Sequence, residues 1–388
     1  MQHKRILWVK VVVLVTILAI TIPVAFAQDN IPGTGLITGG VDGEAETLNG
    51  AGSTFAKPLY DQWNAQYNTL TGVQINYQAI GSGGGIQGIS DQSLDFGATD
   101  GPMTDEQLAN AKGGAILHIP TSMGGVVLVY NIPELEGQDA LKFTPETLAL
   151  VYLGEAASDP IVKWNDERLV ADNPQLANVD KYIVVVHRSD SSGTTNIFTS
   201  YLSAVSQDWA DIVGFGNAVD WQTGIGAKGN PGVAGNVVQT PYAIGYVEQG
   251  YAAANNLPAA AVQNQAGNFV MASQETVSAA AAGVELPADM RVKIVNADGE
   301  NAYPIAGFTW LLVYENQTDS AKALALVRYL WWATHDGQAL VATSDDPVFQ
   351  GYAPLPVPAI KAAEALIMKV TVDGQMVLPQ ELADAAMQ

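Results

Sequence analysis

Two rhythms of apolar and polar residues run along this chain. Phe55, Leu59, Tyr60, Trp63 and Tyr67 recur at the spacing that lines one face of a helix. Val73, Ile75, Tyr77 and Ala79 then alternate with polar residues, the period of a half-buried strand. A GSGGG loop at 81–85, a short helical stretch over 86–93 and a strand over 95–99 follow. The runs VVLVY (126–130) and YIVVV (182–186) are apolar without alternation, as in strands covered on both faces. Phe198, Tyr201, Leu202, Val205 and Trp209 return to helical spacing. Residues 243–247 and 308–314 read as further strands, and 319–334 as a strongly apolar helix. This alternation predicts an α/β architecture with mostly parallel sheets.

The N-terminal stretch breaks the rhythm. MQHKR precedes the apolar run ILWVKVVVLVTILAITIPVAFA, and Ala25-Phe26-Ala27 offers a small-x-small cleavage point. Residues 1–27 are expected to form a signal peptide or a retained signal anchor. The second reading stands because Val11–Ala27 almost reaches the roughly 18 residues that span a bilayer. Either way the bulk of the chain lies outside the cytoplasm. Residues 28–46 (QDNIPGTGLITGGVDGEAE) are rich in Gly, Thr and acids and read as a flexible linker. The whole chain of 388 residues, 48% hydrophobic and 14% charged, has room for two cored domains.

Charge narrows the partners. With 17 basic against 39 acidic residues the net charge is −22, and removal of Lys4, Arg5 and Lys10 with a signal peptide makes it more negative. Such a field repels nucleic acids and anionic lipid at long range, so no nucleic-acid partner is expected. A small anion is a separate case, because it responds to local donors. The chain has no cysteine, which removes disulfides, thiolate metal sites, Cys nucleophiles and a lipoprotein anchor.

Three polar, Gly-containing junctions each sit beside a predicted helix start: Gly50-Ala-Gly-Ser-Thr-Phe55, Gly81-Ser-Gly-Gly-Gly85, and Ser191-Ser-Gly-Thr194. A helix start carries unpaired N–H groups and partial positive charge, glycine admits close approach, and hydroxyls add donors. That combination suits an oxyanion. Ser and Thr are also ordinary N-caps, so each junction by itself reads either way. Arg188 presents a planar set of donors, and Asp190 is placed to hold it; a routine local ion pair is the alternative. Asp100 ends the stretch Asp95-Phe-Gly-Ala-Thr-Asp100, where a turn or cap role competes with a ligand role.

Other motifs carry less. Gly224-Ile-Gly226-Ala-Lys-Gly229 matches GxGxxG, but Asn230-Pro231-Gly232 follows where a Rossmann fold needs a helix. The GSGGG loop lacks the Lys-Ser/Thr of a Walker A motif, and no GxSxG elbow occurs. His3, His118, His187 and His335 show no metal-ligand spacing, so neither metal nor cofactor is expected. Asn316-Gln317-Thr318 is a formal glycosylation sequon, and Trp310, Trp331 and Trp332 read as core residues.

Taken together, four segments resemble the signatures of periplasmic phosphate-binding proteins of ABC transporters: 50–55, Ile80-Gly-Ser-Gly-Gly84, 95–100 and Arg188-Ser-Asp-Ser-Ser-Gly-Thr194. GGVVLVYNIP (124–133), FTSYLSAVS (198–206), GAKGN (226–230) and AIGYVEQGYAAANNL (243–257) extend the likeness in the family's order. The resemblance implies a two-lobed α/β fold of the type II-like periplasmic-binding-protein kind, with hinge crossover strands and a ligand cleft between lobes. By analogy lobe I holds 47–120 and 304–388, and lobe II holds 121–303. The ligand contacts it implies are Thr54, Phe55 (through its backbone N–H), Ser82, Asp100, Arg188, Ser192, Gly193 and Thr194, with Asp190 holding Arg188. His187 replaces a frequent Arg, Ser191 a frequent Gly, and Ser53 and Ala56 stand where Ala and Pro are common.

The resemblance implies a monomeric receptor that binds inorganic phosphate and passes it to the membrane subunits of an ABC permease with their ATPase subunits. It would not be an enzyme. Near neutral pH phosphate keeps a proton, which an ionised Asp100 accepts; sulfate offers it only lone pairs. Arsenate, alike in shape and protonation, is not separated by this logic. A phosphatase on the same scaffold lacks a convincing nucleophile–base pair. A surface protein that has lost the ligand is the remaining alternative.

Overall fold

The computed structural model describes residues 32–388. The signal segment expected at 1–27 lies outside the described residues, as do residues 28–31 of the expected linker. Among the described residues no helix is long and apolar enough to cross a membrane.

The main sheet contains β1 (Thr47–Gly52), β2 (Gln74–Ala79), β3 (Phe96–Thr99), β4 (Ile116–Asn131), β5 (Val184–Arg188), β6 (Ile225–Ala227), β7 (Ala243–Glu248), β8 (Ala306–Tyr314) and β9 (Tyr352–Ala353). Its order is β2-β1-β3-β8-β4-β7-β5-β6, with β9 added beside β4. The outer strands pair in parallel: β1 with β2 and β3, and β5 with β6 and β7. The centre is antiparallel, β3-β8-β4-β7. The sheet is therefore mixed, where apolar runs alone suggested mostly parallel. VVLVY and FTWLLVY are buried on both faces, and burial carries no information about strand direction.

β4 organises the molecule. Ile116–Gly125 pairs with β8, and Val126–Asn131 pairs with β7, so one strand serves both halves of the sheet. The return crossing lies beside it, where Val126 N donates to Ile305 O at 2.9 Å. The lobe boundaries expected after 120 and 303 fall inside β4 and just ahead of β8.

Each half buries its own aromatic core. Helix α1 (Lys57–Thr71) carries Trp63 and Tyr67 against Trp332 and Tyr329 of α5 (Ser320–Thr334), with ring centroids 6.2 and 5.2 Å apart. In the other half Tyr152, Phe198 and Tyr246 meet at 4.5–6.2 Å. Burying such rings is the main stabilising contribution, at about 25 cal/mol per Å² of apolar surface.

Three helices differ from the pattern expected. Helix α2 (Ser82–Ser90) begins within GSGGG instead of after it. A Cβ on Gly85 would lie 2.6 Å from Ala98 O and 2.7 Å from Ala51 O, so the glycines let this helix rest directly on β1 and β3. The stretch bearing Phe198 and Trp209 is two helices, α3 (Gly193–Val205) and Gln207–Ile212, divided at Ser206, whose hydroxyl caps the second. Helix α4 (Gly229–Gln239) follows the GxGxxG match, where no helix was expected; Pro231 sits in its first turn, where its missing N–H costs nothing.

Residues 33–45, within the stretch expected to be a flexible linker, run along α5. Trp331 Nε1 donates to Gly33 O at 3.1 Å, Gly35 N to Asp336 Oδ1 at 2.9 Å, and buried Arg328 pairs with Glu44 at 3.0 Å. Gly and Thr content signalled freedom, but Ile37 is buried and Glu44 pairs with Arg328, far away in the sequence.

Candidate functional site

The strand ends that carry the Gly-rich junctions meet where the two halves face each other. Asp100 follows β3, is 2% exposed, and collects hydroxyl donors. Ser53 Oγ lies 2.6 and 2.7 Å from its two carboxylate oxygens, Thr309 Oγ1 2.8 Å from Oδ1, and Ser82 Oγ 3.3 Å from Oδ2. Burial pushes the Asp100 carboxyl up to about 6, against the pull of these hydroxyls and of the Arg188 charge. It is therefore an ionised acceptor at neutral pH.

Opposite it, Arg188 ends β5 with its side chain buried. Nε and Nη2 form a two-pronged bond to Asp190 at 2.8 and 2.6 Å, and Nη1 reaches Thr194 Oγ1 at 3.4 Å. Burial opposes ionisation of Asp190, but Arg188 and the Gly229 N–H (3.0 Å) outweigh it and hold the carboxyl below its usual range. The pair fixes the guanidinium plane.

The start of α3 completes the second half's contribution. Ser192 is its N-cap, accepting Thr195 N at 3.1 Å, and its hydroxyl keeps its own proton to donate. Gly193 N donates across the cleft to Ser82 Oγ at 3.0 Å. Asn230, in the first turn of α4, bridges both halves: Nδ2 lies 2.9 Å from Thr54 Oγ1 and 3.0 Å from Thr194 Oγ1. The Phe55 ring is buried edge-on to Tyr352 at 6.2 Å, and Phe55 O accepts the Tyr352 hydroxyl at 2.6 Å, which anchors the backbone beside Thr54.

Thr54, Ser82 and Asp100 from one half thus meet Arg188, Gly193 and Thr194 from the other, with Phe55, Asp190 and Ser192 supporting them. The assembly offers one cation, several hydroxyls and a helix start, together with one buried carboxylate acceptor. That set suits an oxyanion carrying a proton.

The two departures near Arg188 have distinct surroundings. His187 is half-buried, stacks on Trp221 at 4.8 Å, and its Nδ1 lies 3.0 Å from Arg188 O. Burial pushes its pKa below the ordinary imidazole value, against the Arg188 carbonyl that would favour its charged form. Ser191 O accepts Gly83 N at 3.0 Å, a further bond between halves. His118 is structural: its Nε2 accepts Met103 N at 3.0 Å, and burial drives its pKa down to about 3.

Comparison with known proteins decides the family. A model of the PBP superfamily domain matches residues 39–331. The phosphate-binding protein PstS of Pasteurella multocida is 40% identical over 324 residues, covering 83% of this chain and 90% of its own. The chain belongs to the PstS family of phosphate-binding proteins. The PstS protein of Methanocaldococcus jannaschii is 39% identical over 74% of this chain and 78% of its own. Among solved structures, PfluDING, a high affinity periplasmic phosphate-binding protein bound with phosphate, matches with a TM-score of 0.66 at 20% identity, over 82% of this chain and 93% of its own. That likeness supports the two-lobed fold.

Sequence reasoning missed four contributors to this candidate site. Ser53 and Asn230 lay within quoted motifs but were given no role, and Tyr251, whose hydroxyl donates to Thr54 O at 2.7 Å, lay within another. Thr309 had one signal: it is the polar residue in the run FTWLLVY. Among the described residues no cluster of three or more His, Cys, Asp or Glu is placed to hold a metal.

Proposed function

We propose that this PstS-family chain captures inorganic phosphate between its halves and hands it, unchanged, to the membrane subunits of an ABC permease outside the cytoplasm. The observation that carries the reading is the facing of Asp100 and Arg188 across the cleft, one a buried acceptor and the other a buried donor. Arg188, Thr194, Ser192, Thr54 and the Phe55 backbone donate to phosphate oxygens, and the Gly193 backbone and Ser82 exchange the hydrogen bond they share for further ones. Asp100 accepts the proton that phosphate retains and meets a lone pair when the ligand is sulfate. A buried acceptor facing another acceptor costs about 1–3 kcal/mol or more, which excludes the wrong anion. Asp190 holds Arg188 and does not touch the ligand. Residues 1–27 direct export, and the receptor acts as a monomer.

Calorimetry with phosphate, sulfate and arsenate tests this. Phosphate and arsenate should bind and sulfate should not. A protein that binds no phosphate at millimolar concentration, and whose melting temperature phosphate does not raise, overturns the reading.

A further inference from the structure

The structure gives the Ser53 hydroxyl one direction. Ala56 N donates to Ser53 Oγ at 3.1 Å, at the start of α1, which occupies the oxygen as an acceptor. The single hydroxyl proton is then left for Asp100, whose two oxygens lie 2.6 and 2.7 Å away. Ser53 is itself wholly buried. Thr309 behaves differently, since its proton can serve Asp100 Oδ1 at 2.8 Å or Thr99 O at 3.4 Å.

We infer that Ser53 is a specificity-determining residue: its oriented hydroxyl keeps Asp100 an ionised acceptor, and so sets the lower pH limit at which the site still demands a protonated oxyanion. The inference rests on the phosphate-binding reading given above. Ser53 acts through Asp100 and is a positioning residue in that sense. Where Asp100 gains a proton it becomes a donor, and sulfate is no longer repelled.

The tyrosines that face Asp100 do not titrate in the same range. Arg188 is the facing cation, and its charge pulls the Asp100 carboxyl down. Tyr60, Tyr77, Tyr251 and Tyr352 are all raised by burial and stay neutral. Burial pushes Glu248 up to about 8, on the alkaline side of the range that matters here.

The test follows phosphate and sulfate affinity by competition calorimetry from acidic to mildly alkaline pH in the wild-type protein, Ser53→Ala and Thr309→Val. Wild type should exclude sulfate at neutral pH and lose the exclusion as pH falls. Ser53→Ala should move that midpoint upward by about one pH unit, the equivalent of one hydrogen bond to a charged group. Thr309→Val removes a donor that caps no helix, and should move it the same way but less. Midpoints that stay put in both variants, with affinity merely lowered at every pH, overturn the inference and leave Ser53 as a helix cap. Failure of the wild type to bind phosphate would instead overturn the underlying reading.

Discussion

Ser82 and Gly193, far apart in sequence, share a 3.0 Å hydrogen bond that closes one half of the sheet onto the other. The contact leaves no room for a side chain. A Cβ on Gly193 would lie 2.6 Å from Asp100 N, Asp100 Oδ2 and Ser82 Oγ alike. Gly193→Ala should therefore fold but close poorly, weakening phosphate binding by about 1–3 kcal/mol, the range for overpacking. Calorimetry paired with small-angle scattering checks both parts.

A second close contact can be relieved from its other side. A Cβ on Gly83 would fall 2.2 Å from Ser191 Oγ. Gly83→Ala should lower affinity, and adding Ser191→Gly should restore most of the loss. Equal affinities for the single and double variants would show that the two residues act independently.

Asp100→Asn substitutes an amide that can turn a donor toward a fully deprotonated anion. Discrimination against sulfate should shrink by at least tenfold, about 1.4 kcal/mol, in a competition assay. Selectivity that stays as in wild type would remove the proton-reading role from Asp100.

Arg188→Ala should cost about 1.5–3 kcal/mol of phosphate binding, as for a hydrogen bond to a charged group. Asp190→Ala leaves Arg188 present but frees its plane, since both prongs of the bond go. It should weaken binding less than Arg188→Ala while lowering the melting temperature, because a buried guanidinium loses its partner.

Glu248 ends β7 fully buried and accepts Gly250 N at 2.7 Å through Oε1, and among the described residues Oε2 has no partner. Burial raises its carboxyl from 4.5 to about 8, against the Gly250 N–H. Between those values the folded protein holds a proton that the unfolded chain has released. Its contribution to stability is therefore complete below the lower value and is lost as pH rises through the upper one. Glu248→Gln, neutral at every pH, should flatten the fall in melting temperature across that window; an unchanged slope would assign it to other groups.

Much of this was readable because the features are local. The strand periods placed β2, β3 and β7 within a few residues, and the site residues sat inside short motifs where hydroxyls, glycine and one Arg coincide. What escaped depends on pairing at a distance. Strand direction in β4 and β8 is set by partners that apolar runs do not specify. The docking of residues 33–45 depends on Arg328 and Trp331, about 290 positions away. Thr309 looked like an interruption in a core strand until the fold brought it to Asp100.

The place of β8 in the sheet also bears on how the molecule comes into being. As the chain emerges N-terminus first, β1, β2, β3 and β4 are all available early, yet β3 and β4 are not neighbours; β8 lies between them. The half that contains the N-terminal strands must wait, with two open edges, until residue 306 arrives. In the other half, β7, β5 and β6 have all joined the end of β4 by residue 248, and the segment that packs on them ends at about Tyr303, ahead of β8. Assembly thus runs against chain order: the middle of the polypeptide can finish first, and its beginning is completed by its end.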